Sequence, residues 1–142
     1  MFGIGSVLDN VRAGRMQRLL AATAAATALP LVAEIWLEHY RGSFGDRWRW
    51  TPLIATPPLV AAGVAGIVSE RAARTVLPAA GAVYAVDGMI GVITHLRGVL
   101  RKPAGLRQPL YNIVMGPPLL APGSLALVGG IAMLAAVVGR ES

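Results

Sequence analysis

The 142-residue chain is 55% hydrophobic and only 14% charged, against about a quarter charged in soluble domains, so a water-soluble globular domain is excluded and lipid is the natural solvent. With no cysteine, disulfides, iron–sulfur clusters and thiolate metal sites are excluded as well. The net charge of +6, from 13 Lys+Arg against 7 Asp+Glu, is carried mainly in short stretches flanking apolar segments, where cations meet lipid headgroups; without an interleaved basic–aromatic surface it gives no case for nucleic acid.

Residues 1–18 are mixed. Phe2, Ile4, Val7, Leu8, Val11 and Met16 alternate with Asp9, Arg12, Arg15 and Arg18. The spacing roughly fits an amphipathic helix, weakened by Gly3, Gly5 and Gly14. A helix lying in the membrane surface and a frayed basic leader both stay open. A secretory signal fits poorly, because the apolar segment from Leu19 is too long.

The first span is expected from about Leu19 to Tyr40, enough for the roughly 20 residues that cross the hydrocarbon. It opens with small residues, passes Pro30, and ends with Glu34, Trp36, Glu38 and His39. A basic loop with Trp48 and Trp50 at headgroup level leads to a second span, Thr51 to Val68, which holds Pro57 and Pro58. Prolines inside a helix remove donors and kink it, and Ala62 and Gly66 are spaced for close helix packing. After a turn at Ser69, Glu70, Arg71 and Arg74, a third span runs from about Thr75 to Leu100 with Tyr84, Asp87, Thr94 and His95. A fourth, from about Tyr111 to Val138, is bent at Pro117, Pro118 and Pro122, before the chain ends at Arg140, Glu141 and Ser142.

The predicted fold is therefore all-α: a single four-helix transmembrane domain over residues 1–142, in which residues 19–68 and 75–138 form two tandem repeated hairpins with proline kinks. The repeat rests on His39-Tyr40-Arg41-Gly42 and its echo His95-Leu96-Arg97-Gly98, each followed by a basic loop and a span bearing a double proline. Two-span units enter the membrane in the same sense, so a pseudo-twofold axis along the membrane normal would put the two histidines at one depth on facing helices. Arg12, Arg15, Arg18, Arg71, Arg74 and Arg140 lie on one side, and Arg41, Arg47, Arg49, Arg97, Arg101, Lys102 and Arg107 on the other. Six against seven does not orient the protein; the lack of a cleavable signal leans toward cytoplasmic termini in a bacterial inner membrane.

Ionisable residues inside spans are functional candidates. His39 and His95, the only histidines, could supply both axial ligands of one b-type haem, with Arg41 and Arg97 pairing its propionates and glycines 42, 91 and 98 leaving room. Glu34, Glu38, Asp87 and Tyr84 are candidates for a second shell or a proton path. Glu34, deep in its span, is expected to face a polar partner or water rather than lipid. A carboxylate-bridged metal pair fits less well, because adjacent Glu38 and His39 point about 100° apart. No hydrolase motif or phosphate-cradling glycine loop is present.

Two functions follow. One is a small electron-transfer subunit resembling a b-type cytochrome, with a quinone or a partner protein at the haem-bearing face. The other is a cofactor-free accessory or scaffold subunit of a larger membrane complex, its histidines interfacial and its arginines on lipid phosphates. In both, the expected partners are membrane lipids and other membrane subunits.

Overall fold

The computed structural model describes residues 3–139. Phe2, Arg140, Glu141 and Ser142, which the sequence reading assigned to the leader and to the C-terminal flank, lie outside the described residues.

A short helix, α1 (Ile4–Arg12), buries none of its residues. Gly14, at φ 69°, makes the left-handed turn that starts α2 (Arg15–Arg41). Arg15, Met16, Gln17 and Arg18 are all good helix formers, so this helix begins four residues before the predicted span. A 3₁₀ turn (Arg47–Trp50), capped by the Asp46 carboxylate accepting from the Trp48 N–H, feeds α3 (Thr51–Val68). Pro52 occupies the first turn of α3, where a missing N–H costs nothing. Ser69 caps α4 (Glu70–Arg74) by accepting from the Ala72 N–H, and α5 (Val76–Leu100) follows.

The fourth predicted span divides. Its first part is α6 (Pro109–Val114), and α7 (Leu120–Val137) follows after a break. Gly116, Pro117 and Pro118 fall in the break: two successive residues lack an N–H, and the glycine before them is a poor helix former. The first double proline behaves differently, since Pro57 and Pro58 lie within a continuous α3.

Among the described residues the structure is all-helical, and four helical stretches are long and apolar enough to cross a membrane: Arg15–Arg41, Arg47–Val68, Glu70–Leu100 and Leu120–Val137. Helix α2 packs on α3 and α7, while α5 packs on α7 and α3. The four long helices therefore form a ring in which α2 and α5 share a diagonal.

Small residues set the spacing of that ring. A Cβ added at Gly63 would lie 2.8 Å from the Ala25 Cβ and 2.9 Å from the Ala21 carbonyl oxygen. One added at Gly129 would lie 2.5 Å from the Gly81 carbonyl oxygen. Backbones thus touch directly between α2 and α3 and between α5 and α7, as small-residue packing in membranes allows. The wider core is filled by Leu59, Leu77, Tyr84, Leu125 and Val128.

Three buried polar side chains, Gln17, Thr56 and Asn112, were not singled out from the sequence. Gln17 is fully buried and its Nε2 donates to the Ala135 carbonyl at 2.8 Å. That carbonyl is free because α7 ends at Val137 and the Gly139 N–H turns back to the Val137 carbonyl instead. Asn112, also buried, donates to the Pro103 and Gly105 carbonyls at 3.1 and 2.8 Å, tying α6 to the loop before it.

The four-span arrangement has a direct test in topology. Reporter fusions at residues 45 and 105 should report one side of the membrane, and a fusion at residue 72 the other. Mixed reports from either of the first two would overturn it.

Candidate functional site at the loop-bearing end

His39 lies in the last turn of α2, half-buried under the α2–α3 loop. The Phe44 ring meets it edge-on at 6.0 Å between centroids and stacks on Trp50 at 4.4 Å. Phe44 holds φ at 45° and Ser43 at 58°, a left-handed pair that costs non-glycine residues energy. The aromatic stack is what offsets that cost and roofs the histidine. Arg49 completes the roof: its guanidinium donates to the Gly42 carbonyl at 2.8 Å, and its charge and backbone act on His39. The His39 Nδ1 beneath this roof is buried and has no hydrogen-bond partner.

His95 sits on α5 and its Nδ1 meets the Pro118 carbonyl. Proline explains why that carbonyl is available. The residue four positions on is Pro122, which has no N–H to return to it. A carbonyl only accepts, so Nδ1 carries the proton and, in the neutral ring, Nε2 keeps its lone pair.

Asp87 and Tyr84 part company. The Thr51 hydroxyl donates to the Asp87 carboxylate at 2.6 Å and also lies 2.9 Å from the Trp48 carbonyl. Tyr84 is fully buried, with its hydroxyl 3.1 Å from the Thr56 oxygen. Thr56 donates to the Pro52 carbonyl at 2.6 Å, so the Tyr84 hydroxyl is the donor of that pair. These bonds fasten α3 to α5.

The expected rim of a haem pocket takes a different form. Arg41 is exposed and donates to Glu38 at 2.7 Å across one helical turn. Arg97 is exposed near the end of α5. The space over Gly42 is taken by the Arg49 guanidinium, and Gly91 and Gly98 face the Pro122 and Pro117 rings of the neighbouring α7 side. Those glycines therefore admit prolines rather than a macrocycle. The two histidines stand on diagonal helices, and neither Arg41 nor Gly42, Gly91 and Gly98 leave open space beside them. Among the described residues no three His, Asp or Glu side chains converge as a metal ion would need.

Glu34 lies away from the helix interfaces. It is exposed, and with Glu38 it lines an outward-opening groove between α2 and α7 together with Leu31, Pro118 and Ser124. The reason is the packing stripe of α2, which runs through Ala21, Ala24, Ala28 and Ile35 and leaves position 34 to the side. A second groove, between α3 and α5, is apolar except for Thr51 and Asp87.

No protein-family model matches the chain, and neither a curated protein nor a solved structure is similar to it.

Proposed function

We propose that the chain is a non-catalytic accessory subunit of a larger membrane assembly, in a bacterial inner membrane. The observation that carries this is the position of Glu34. It stands seven residues before the end of α2, about 10 Å along the helix at about 1.5 Å per residue, and faces outward. An outward carboxylate against bare hydrocarbon costs up to about 3 kcal/mol. A neighbouring protein helix that supplies a donor or a cation removes that cost. The exposed apolar side chains of the long helices are then shared between lipid and partner.

The tandem repeat belongs to this proposal and draws support from the two grooves. Stepping 56 residues takes Leu31 to Asp87 and Glu34 to Ile90, and stepping 60 takes Pro58 to Pro118; all six residues line one groove or the other. A pseudo-twofold axis would relate the two lateral faces, with a carboxylate at a different place in each.

A second reading rests on the unpartnered Nδ1 of His39. A buried polar atom without a protein partner, as Gln17 Oε1 also is, is accounted for by water, an ion or a bound group, and His95 keeps its Nε2 lone pair at the same loop-bearing end. In that reading one b-type haem is held by His39 and His95, and Arg49, rather than Arg41, is the arginine beside it. A bound haem would supply one-electron chemistry, while the chain's own residues hold the ligand tautomers and shield the site under Phe44.

One purification separates the two. The protein taken from its native membrane in mild detergent should run with further subunits and show no Soret band. A chain that runs alone overturns the accessory proposal. A Soret band with reducible α and β bands, lost in both His39→Ala and His95→Ala, establishes the haem reading.

A further inference from the structure

We infer that the connection between α5 and α7 is a docking platform for anionic phospholipid, with α6 lying in the membrane surface and the cations around it holding the headgroup phosphate. The fourth span was expected from Tyr111, but α7 starts only at Leu120, so residues 101–119 lie outside the four long helices. Packing fixes their depth. A Cβ added at Gly98 would lie 2.9 Å from the Pro117 ring, and one added at Gly116 would lie 3.0 Å from the Val99 side chain. The break after α6 therefore stands level with the last turn of α5, which puts α6 at the edge of the hydrocarbon. Asn112 ties it there through the Pro103 and Gly105 carbonyls. The platform needs only the chain and a bilayer, and does not rest on the accessory proposal.

With Asn112 buried, the outer side of the platform is apolar. Leu106, Leu110 and Val114 are 76%, 75% and 69% exposed, and Tyr111 and Met115 are exposed beside them. Facing water, such a cluster is an aggregation liability. Pressed about 5–10 Å into the boundary between headgroups and acyl chains, it is the side by which an interfacial helix holds a membrane. A soluble acidic partner would meet the nearby cations and leave these side chains uncovered at membrane depth.

Charge selects the headgroup. Arg97, Arg101 and Arg107 are exposed and Lys102 is half-buried. Among the described residues none of these four side chains makes a hydrogen bond or an ion pair. From residue 88 to residue 140 the chain has no Asp or Glu. The carboxylate that reaches toward this end from α2 is Glu38, beside Pro118, and Arg41 already holds it at 2.7 Å. The first loop differs: Arg49 donates to the Gly42 carbonyl, and Asp46 adjoins Arg47. Arg97 and Arg101 are four apart at the end of α5, so they share a face and repel each other unless an anion stands between them. A lipid phosphate accepts charge-assisted bonds from both guanidinium groups. A zwitterionic headgroup brings a phosphate too, but also a cation that the cluster repels. An anionic lipid brings the phosphate alone, with acyl chains for the apolar side.

The test is native mass spectrometry of the full chain in mild detergent, titrated with phosphatidylglycerol or with phosphatidylcholine of the same acyl chains. The first phosphatidylglycerol should bind about tenfold more tightly, since each Lys or Arg near an anionic surface contributes about fivefold. Arg101→Gln combined with Arg107→Gln should remove most of that preference. Arg18→Gln combined with Arg71→Gln takes two exposed cations from the opposite end and should leave it in place, which separates the platform from overall charge. The chain has no cysteine, so Val114→Cys accepts a single nitroxide label. In bilayers containing phosphatidylglycerol the label should collide more with oxygen than with a water-soluble nickel chelate, and this decides the matter if the arginine variants fail to fold. Equal affinity for the two lipids, a preference that survives Arg101→Gln with Arg107→Gln or falls equally in the other pair, or a label more open to the chelate than to oxygen would each overturn the platform.

Discussion

Gly129→Leu should abolish the folded four-helix bundle in mild detergent, whereas Gly130→Leu, one residue along, should leave it intact. The Cβ of a side chain at position 129 would lie 2.5 Å from the Ala85 nitrogen and 2.5 Å from the Gly81 carbonyl oxygen, both backbone atoms of α5. Backbone cannot swing aside as a side-chain tip can, so α5 and α7 must separate. Over-packing a core by a few methylenes costs about 1–3 kcal/mol when side chains can yield; four added carbons against backbone exceed that, in a molecule whose total stability is of order 5–15 kcal/mol. At Gly130 an added Cβ meets nothing within 4 Å. Thermal unfolding followed by circular dichroism, with size-exclusion profiles, reads both. A Gly129→Leu protein as stable as the unaltered chain would mean that α5 and α7 do not pack through these glycines.

This contrast also marks what a sequence can and cannot give. Hydrophobic run length is a one-dimensional property, so the second span, Thr51 to Val68, and the end of the third, Leu100, stand where they were expected. Helix faces are harder. Ala62 and Gly66 declared themselves by their spacing, and both are buried. Gly91 and Gly98 look equally spare in the sequence, yet prolines of the next hairpin arm fill the space beside them. Which neighbour a glycine admits depends on a register between helices that no local pattern encodes.

The same limit governs the polar residues. His95 was legible as an unusual residue at the end of a span, and its relation to Pro122 was legible in principle. A proline four residues after a helical carbonyl leaves that carbonyl free, so Pro118 needed a donor. That His95 supplies it follows only from the α5–α7 register. Arg41 was paired with a ligand in expectation, but Glu38 stands three residues before it, close enough on a helix to claim it first. Arg49 sits in a loop, where folding, not periodicity, decides that it covers Gly42. Gln17 gave no signal beyond a polar residue near a span start; its burial comes from the end of α7 arriving beside it.

Glu34 offers a prediction in which stability and association move in opposite directions. Its carboxylate faces outward from α2 beside Glu38, Ser124 and Pro118. In the isolated chain, Glu34→Leu removes a charge from a lipid-facing position and should raise the melting temperature in detergent. In the native membrane the same change removes the group a partner helix would neutralise. The lost interaction, up to about 3 kcal/mol, corresponds to a fall of about a hundredfold in partner affinity. The partner-bound fraction recovered in mild detergent should therefore drop sharply in Glu34→Leu. Glu34→Gln, which still accepts a hydrogen bond, should retain part of it, and Glu34→Lys should lose it altogether through like charge with the partner's cation. Thr27 marks the contrast: it also sits on an exposed part of α2, but its hydroxyl already bonds the Thr23 carbonyl at 2.6 Å, so Thr27→Ala should change neither quantity. If Glu34→Leu destabilises the isolated chain, the carboxylate has an internal role and the outward groove is not an interface. If it leaves both the melting temperature and the recovered partners unchanged, water or lipid headgroups satisfy Glu34, and the case for a partner at this face falls with it.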